Sequence, residues 1–269
     1  MKIVFLSILT SVFVICGYAQ SAEALFRKAL VKGAAQNHRD AIELYNKAIT
    51  YQPVFAEAYN NRGVSKTALA DLKGALADFN SALALNPVDG DVYFNRGRVK
   101  NETGDFRGAI SDLDKAIEYN TADADAYYQR SIAKFSLLDF KGTIEDCGKA
   151  IGINPEYCDA YYRQGIARGF LEDYTGAIQD FDKVIALNPK DDKAYFKRGF
   201  AQIYQKEYAK CIADCSKAIA LNSKYGEAYY GRGIAKIASG MKKNGCIDLG
   251  IAKGMGTENA EKAITDYCR

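Results

Sequence analysis

A repeat of 34 residues constrains the fold of this chain more than any other feature of its sequence. Glycine recurs at this spacing, with one serine among the sites, at Gly63, Gly97, Ser131, Gly165, Gly199 and Gly233. Four residues before each site stands a tyrosine, at Tyr59, Tyr93, Tyr127, Tyr161, Tyr195 and Tyr229. A period of this length, held without slippage, indicates one supersecondary unit stacked on copies of itself.

Small residues and prolines place two helices in each unit. Twelve and nineteen residues after the glycine sites the side chains stay small, as at Ala75 and Ala82. Both positions lie on one face of a second helix, where small side chains let the first helix approach closely. Asn-Pro pairs at 86–87, 154–155 and 188–189 then end the second helix, because the residue before a proline is pushed out of the helical region. Each unit is predicted to be a helix, a tight turn and a second helix.

This pattern resembles the tetratricopeptide repeat, a helix-turn-helix unit of 34 residues with aromatic residues, glycine, alanine and proline at these offsets. The resemblance implies an all-α, right-handed superhelical solenoid whose first helices line a concave face. About seven repeats are expected within residues 22–259, at 22–55, 56–89, 90–123, 124–157, 158–191, 192–225 and 226–259. A C-terminal capping helix is expected within 257–269, with Thr257 as its N-cap residue.

The first residues have the layout of a secretory signal peptide. An apolar run from Ile3 to Ile15 is followed by small residues up to a predicted cleavage site after Ala19. This run is shorter than the roughly 18 residues that a membrane-spanning helix needs. A lipid anchor on Cys16 is an alternative that the large Ile15 before it disfavours. We expect residues 1–19 to be removed and the protein to be exported, to the periplasm or out of the cell.

Six cysteines remain after that removal, an even number that permits disulfides in an exported chain. They are Cys147, Cys158, Cys211, Cys215, Cys246 and Cys268. A disulfide between Cys246 and Cys268 is predicted, because the helices that carry them should run antiparallel, and the connectivity of the others stays open. Three of the others fall on core-facing sites, where cysteine packs as a small apolar residue. With His38 as the single histidine, no metal site is expected.

Arginine and aspartate occupy matched sites, one residue before and fifteen residues after the glycine sites. Gln164 interrupts the arginine series once. The predicted structural ion pairs are Arg62 with Asp78, Arg96 with Asp112, Arg130 with Asp146, Arg198 with Asp214, and Arg232 with Asp248. A stripe of cations that binds an anion is the alternative, but a carboxylate within reach of each cation favours the structural interpretation.

Aromatic side chains follow one another on the face that the resemblance makes concave. They stand three residues before the glycine sites, at Phe94, Tyr128, Tyr162, Phe196 and Tyr230. These rings are candidates for holding a peptide by apolar contact and stacking. Packing of the rings on their own neighbours is an equally open alternative. Arg163 and Lys197 form a basic patch on the same face, which would orient a bound segment.

The composition argues for a binding protein rather than an enzyme. A net charge of +3 without long runs of like charge argues against a nucleic-acid-binding surface. One histidine and no phosphate-binding loop leave no catalytic site to assemble, and no cofactor is expected. We interpret the chain as a non-enzymatic scaffold or adaptor in the cell envelope or outside the cell, which binds a peptide or protein segment and has no membrane span after signal cleavage. Polysaccharide binding through the same aromatics, or an architectural role in an envelope complex, are the alternatives.

Overall fold

Helices build all of the regular structure in the part of the chain that the computed structural model describes, residues 21–268. No strand occurs among these residues, and no helix there is long and apolar enough to cross a bilayer. The all-α prediction is confirmed. The predicted signal peptide, residues 1–19, lies outside the described residues.

The helices follow one another in pairs along the chain, and a single helix comes last. Their bounds are α1 (21–34) and α2 (His38–Tyr51), α3 (Ala56–Ala68) and α4 (Leu72–Leu85), α5 (Gly90–Thr103) and α6 (Phe106–Tyr119), α7 (Ala124–Ser136) and α8 (Phe140–Ile153), α9 (Cys158–Phe170) and α10 (Tyr174–Leu187), α11 (Asp192–Tyr204) and α12 (Tyr208–Leu221), α13 (Gly226–Ala238) and α14 (Lys242–Gly254), and α15 (Ala260–Cys268).

The chain divides into two compact units within α7. The first unit ends at Ala133 and the second begins at Lys134. Within the first unit, α3 packs on α4 and α5 packs on α6. Within the second, the hairpins α9–α10, α11–α12 and α13–α14 pack in the same way, and each also contacts the next. This arrangement of consecutive hairpins is the repeat architecture that the 34-residue period predicts.

Aspartates set the start of the second helix in four hairpins. Asp71 accepts a hydrogen bond from the backbone N–H of Gly74 at 2.9 Å. The equivalent pairs are Asp105 with Gly108, Asp139 with Gly142, and Asp173 with Gly176. Such a carboxylate satisfies an N–H that the first turn leaves unpaired and interacts favourably with the helix dipole. At the other end of α4 the backbone of Asn86 becomes extended, with ψ of 90°, so the helix stops before Pro87.

Close packing within a hairpin depends on missing side chains in the first helix. A Cβ placed on Gly63 would lie 2.7 Å from Cε1 of Phe79, and one on Gly165 would lie 3.0 Å from the ring of Phe181. Both rings are buried, with Phe79 fully so. Glycine at the repeated site therefore lets a large ring of the second helix lie directly against the backbone of the first.

The last helix begins later than the sequence suggests. α15 starts at Ala260, after Asn259 adopts the left-handed conformation with φ of 64°. Thr257 contributes its backbone carbonyl, which accepts a hydrogen bond from the N–H of Ala260 at 3.3 Å. The helix buries Ala260 and Ala263 and packs on α13 and α14. It covers the end of the second unit, as expected of a capping helix.

Candidate functional site

Bidentate ion pairs join the two helices of hairpins in both units. Arg62 donates to Asp78 through Nε at 2.9 Å and through Nη2 at 2.6 Å. The same geometry links Arg96 to Asp112, Arg198 to Asp214 and Arg232 to Asp248. Lysines four residues after the arginine add a further contact in some copies, as from Lys66 to Asp78 at 2.8 Å. These arginines hold buried carboxylates of their own hairpins, so they are not available as a stripe for an outside anion.

The equivalent residues beside the boundary of the units each make a contact within their own unit. In the first unit Arg130 pairs with Asp114 at 2.6 Å. In the second unit Asp146 pairs with Lys134 at 2.9 Å. A pair of Arg130 with Asp146 would join residues of different units, and it stays a prediction.

The next hairpin lacks the arginine. Gln164 stands in its place and donates to the carbonyl oxygen of Ile144 at 3.0 Å. Asp180, which is buried, pairs instead with Arg168 at 2.9 Å. Burial raises the pKa of Asp180 to about 7, and the charge of Arg168 offsets only part of that rise.

The aromatics expected on the concave face differ in how far they pack on their own neighbours. Phe196 is 7% exposed, and its ring meets that of Tyr225 edge-on with centroids 5.1 Å apart. The ring of Tyr162 packs edge-on against Phe181 at 5.7 Å, and burial raises the pKa of Tyr162 to about 12. Half-buried side chains also occur at Phe94, Tyr128 and Tyr230. Packing accounts for Phe196, whereas the other four rings keep part of their surface open to solvent.

An open apolar pocket lies between α9, α10 and α11 of the second unit. Its volume is about 250 Å³. It is lined by Gly165, Ile166, Gly169 and Phe170 of α9, by Tyr174, Ala177 and Phe181 of α10, and by Lys197, Phe200, Ala201 and Tyr204 of α11. Apart from Lys197, every side chain in this lining is apolar or aromatic. A concave apolar surface with one placed charge is typical of a ligand site.

The mouth of the pocket exposes aromatic surface to solvent. Phe170 is 62% exposed, Tyr204 is 53% exposed and Phe200 is 39% exposed. Tyr174 stacks on Tyr204 with ring centroids 4.5 Å apart. A Cβ placed on Gly169 would meet no heavy atom within 4 Å, so the space beside this glycine is empty. The two hairpins therefore present an aromatic wall around a vacant apolar space.

Lys197 supplies the charge of the pocket. It is half-buried, and its Nζ lies 5.6 Å from the centroid of the Phe196 ring. Burial lowers the pKa of Lys197, and the charge of Glu227 offsets part of that effect. Within residues 21–268, no carboxylate forms a salt bridge with it. The other predicted basic residue, Arg163, lies with its guanidinium 5.6 Å from the centroid of the Phe135 ring.

Comparison with known sequences matches these hairpins to family models described as the tetratricopeptide repeat. The matches cover residues 26–89 and 65–126 with one model and residues 159–191 with another. The chain is a tetratricopeptide repeat protein. No curated protein sequence matches it significantly.

Solved structures share the fold of this tetratricopeptide repeat protein at low sequence identity. The C-terminal part of a TPR protein from Cytophaga hutchinsonii superimposes with a TM-score of 0.72 at 21% identity, covering 89% of this chain and 98% of that one. A tetratricopeptide repeat protein from Parabacteroides merdae gives 0.65 at 22% identity, covering 93% and 100%. YrrB, described as a TPR protein with an unusual peptide-binding site, gives 0.63 at 21% identity, covering 68% and 95%.

The exposed aromatics of the pocket in this tetratricopeptide repeat protein escape a search for recurring residues. Lys197 belongs to the predicted basic patch, but Phe170 and Tyr204 stand five residues after their glycine sites. The equivalent residues in other repeats are Ala68, Glu102, Ser136 and Ala238. The sequence signal that could have located the pocket is the presence of aromatics at this site in two neighbouring repeats. The pocket forms where those repeats depart from the common pattern.

Two cysteines lie close together in the part of the tetratricopeptide repeat protein that the structure describes, residues 21–268. Cys246 of α14 and Cys268 of α15 have their sulfur atoms within bonding distance and their Cα atoms 5.8 Å apart. Of the other described cysteines, Cys147, Cys211 and Cys215 are buried and Cys158 is partly exposed. Among residues 21–268 no cluster of three or more His, Cys, Asp or Glu residues could hold a metal ion.

Proposed function

We propose that this tetratricopeptide repeat protein is a non-enzymatic scaffold that binds a peptide or protein segment, with the pocket between α9, α10 and α11 as its anchor point. The observation that carries the proposal is the vacant apolar space walled by Phe170, Phe200 and Tyr204. Large apolar surface exposed around a cavity marks an interaction site, and aromatic anchors in such pockets dominate many interfaces. Tyr162 and Tyr230, on α9 and α13, extend partly exposed aromatic surface over the same unit.

The family supports a role in protein interaction. Stacked hairpins form a preorganised surface, so a segment that binds to them costs little ordering of the scaffold. YrrB, a protein of this fold, is described as having an unusual peptide-binding site. At 21% identity that likeness supports the fold and transfers no binding residue.

We place the protein in the cell envelope or outside the cell, on the basis of its sequence. The apolar run up to Ile15 and the small residues before Gln20 are the pattern of a cleaved signal peptide. The juxtaposition of Cys246 and Cys268 suits an oxidising compartment. Cell fractionation and N-terminal sequencing test this placement, with Gln20 expected as the first residue. An intact N-terminus in the cytoplasmic fraction would contradict it.

A pull-down with one substitution and a matched control tests the pocket. Gly169→Leu places a side chain in the vacant space and should abolish capture of the partner from an envelope extract. Gly152→Leu is the control, because Gly152 is also the penultimate residue of its helix in the second unit and also has nothing within 4 Å of a Cβ. Circular dichroism of both variants should match that of the wild type.

Three outcomes distinguish the possibilities for this site. A protein captured by the wild type and by Gly152→Leu but lost with Gly169→Leu supports the proposal. Equal capture by all three proteins would place the interface elsewhere and overturn the pocket as its anchor. Recovery of no protein partner by any of them would count against the scaffold function.

Polysaccharide binding is a second candidate function. One face of the Phe170 ring stacks on Phe140, with ring centroids 4.7 Å apart, but the residue is 62% exposed, so its other face can stack on a sugar ring. A glycan array probed with the wild type and with Gly169→Leu separates the two candidates. An architectural subunit would instead be recovered in a stoichiometric envelope complex whose assembly does not depend on the pocket.

A further inference from the structure

Lys197 differs from the half-buried lysines of the repeated lysine site. Lys66, Lys100, Lys134 and Lys236, which occupy the repeated lysine site, each form a salt bridge of 2.7 to 2.9 Å with an aspartate of the same hairpin. Lys197 lies over the ring of Phe196. The carboxylate of Glu227 interacts with it electrostatically but is too far away to form a salt bridge. An ammonium group that has lost part of its water without gaining a paired carboxylate is stabilised by an incoming anion.

The size of the pocket limits what can enter it. About 250 Å³ is below the range of roughly 300–1,000 Å³ for sites that enclose a whole drug-sized ligand. It is enough for one large aliphatic or aromatic side chain, the anchor that interface pockets commonly receive. The rest of such a ligand lies outside the pocket, over the exposed rings of Phe170 and Tyr204.

We propose that the pocket binds a segment of a partner protein in which a large apolar residue is close to an aspartate or glutamate. The apolar side chain enters the space beside Gly169, and the acidic side chain pairs with Lys197 at its edge. This inference rests on the proposed scaffold function and adds the chemistry of its partner. A single cation in an apolar lining gives the pocket a charge preference that the apolar walls alone would not supply.

Selection of a phage-displayed library of random peptides on the immobilised protein tests directly whether the pocket prefers an acidic residue in the bound segment. The wild type should enrich peptides in which an apolar residue lies within a few positions of an acidic one. Lys197→Met removes the charge and keeps much of the apolar stem, so it should enrich apolar peptides without the acidic residue. Lys183→Met is the matched control, because Lys183 is an exposed lysine of α10 outside the pocket, and it should reproduce the wild-type selection.

A synthetic copy of the most enriched peptide then gives the coupling between the two charges. Replacing its acidic residue with the corresponding amide should weaken binding to the wild type about tenfold, which is about 1.4 kcal/mol. The same replacement should change binding to Lys197→Met by much less. Both proteins should have the same circular dichroism spectrum.

The possible failures separate this inference from the function on which it rests. The selection could enrich peptides that do not bind to Gly169→Leu but that lack an acidic residue or contain basic residues. That result would overturn the charge preference and leave the scaffold function standing. Dimerisation that depends on protein concentration and is lost in Gly169→Leu would assign the pocket to a second copy of this chain and overturn the inference. No enrichment over an unrelated protein would overturn the inference and count against the scaffold function as well.

Discussion

Gln164 changes the chemistry of a buried carboxylate in the neighbouring helix. In the last hairpin burial alone would raise the pKa of Asp248, but hydrogen bonds from Arg232 and a lysine hold it below its ordinary value. Asp180 has Arg168 in place of that pair of cations, and its pKa rises to about 7. One substitution at a repeated site therefore produces a group that titrates near neutral pH.

The substitution Asp180→Asn should remove a pH dependence from the stability of the second unit. Folded Asp180 holds its proton up to about pH 7, whereas in the unfolded chain it releases the proton near the ordinary value of 3.8. The stability that this group contributes is therefore full below about pH 4 and is lost as the pH rises from about 4 to about 7, with a slope of up to about 1.4 kcal/mol per pH unit. Urea unfolding of the wild type and the variant at several pH values measures the difference. Parallel stability curves over that interval would contradict the prediction.

The helix pairs themselves could be predicted because each one is specified by residues close together in the sequence. Gly63 beneath Phe79, Asp71 at the start of α4 and Asn86 at its end all act within one hairpin, so their spacing locates the helices. The start of α15 could not be predicted in this way, because it depends on the left-handed conformation of Asn259. The pocket depends on Phe170 of one hairpin and on Phe200 and Tyr204 of the next. No repeated spacing predicts that these residues line one cavity.

The bidentate pair between Arg198 of α11 and Asp214 of α12 allows the contribution of these ion pairs to hairpin stability to be measured without a second cation. Asp214 is held by Arg198 without a lysine, because Gln202 stands at the repeated lysine site. Arg198→Leu should destabilise the second unit by about 3 kcal/mol or more, since it leaves a buried carboxylate unpaired. The double variant with Asp214→Leu should recover most of that loss, because two apolar side chains can pack at the same sites. Chemical denaturation of the three variants measures the coupling.

Arg62→Leu provides the matched comparison in the first unit. There Lys66 still pairs with Asp78 at 2.8 Å, so the carboxylate keeps one cation and the loss of stability should be smaller. An equal loss at both sites, or no recovery in the double variant, would show that packing of the arginine stem rather than its charge stabilises the hairpin.

The division of the whole chain into two units does not follow from the period. The spacing of 34 residues runs through the boundary between Ala133 and Lys134 without slipping. Ser131, at the one glycine site that holds a serine, falls two residues before that boundary. The period reports how each hairpin is built, and it carries no information on where the chain divides into compact units.

Oxidation of Cys246 and Cys268 should secure the C-terminal end of the molecule. The two cysteines are 22 residues apart in the sequence. In the chain-entropy model, a disulfide that closes a loop of that size adds roughly 3 kcal/mol to the free energy of unfolding. Cys268→Ser should therefore increase amide hydrogen exchange in α15 while the core of the first unit stays protected. Mass spectrometry of the purified protein, alkylated without reductant, is the direct check. Free alkylation of both thiols would contradict the prediction.

The hairpin ion pairs also bear on the order of events during folding. Arg62 and Asp78 are 16 residues apart, as are the partners in each of the other bidentate pairs. Closing a loop this short costs little entropy, and contacts between such near neighbours form early. Each hairpin can close as soon as its own second helix is available, so the chain can fold in the order in which it leaves the ribosome or emerges from a membrane channel.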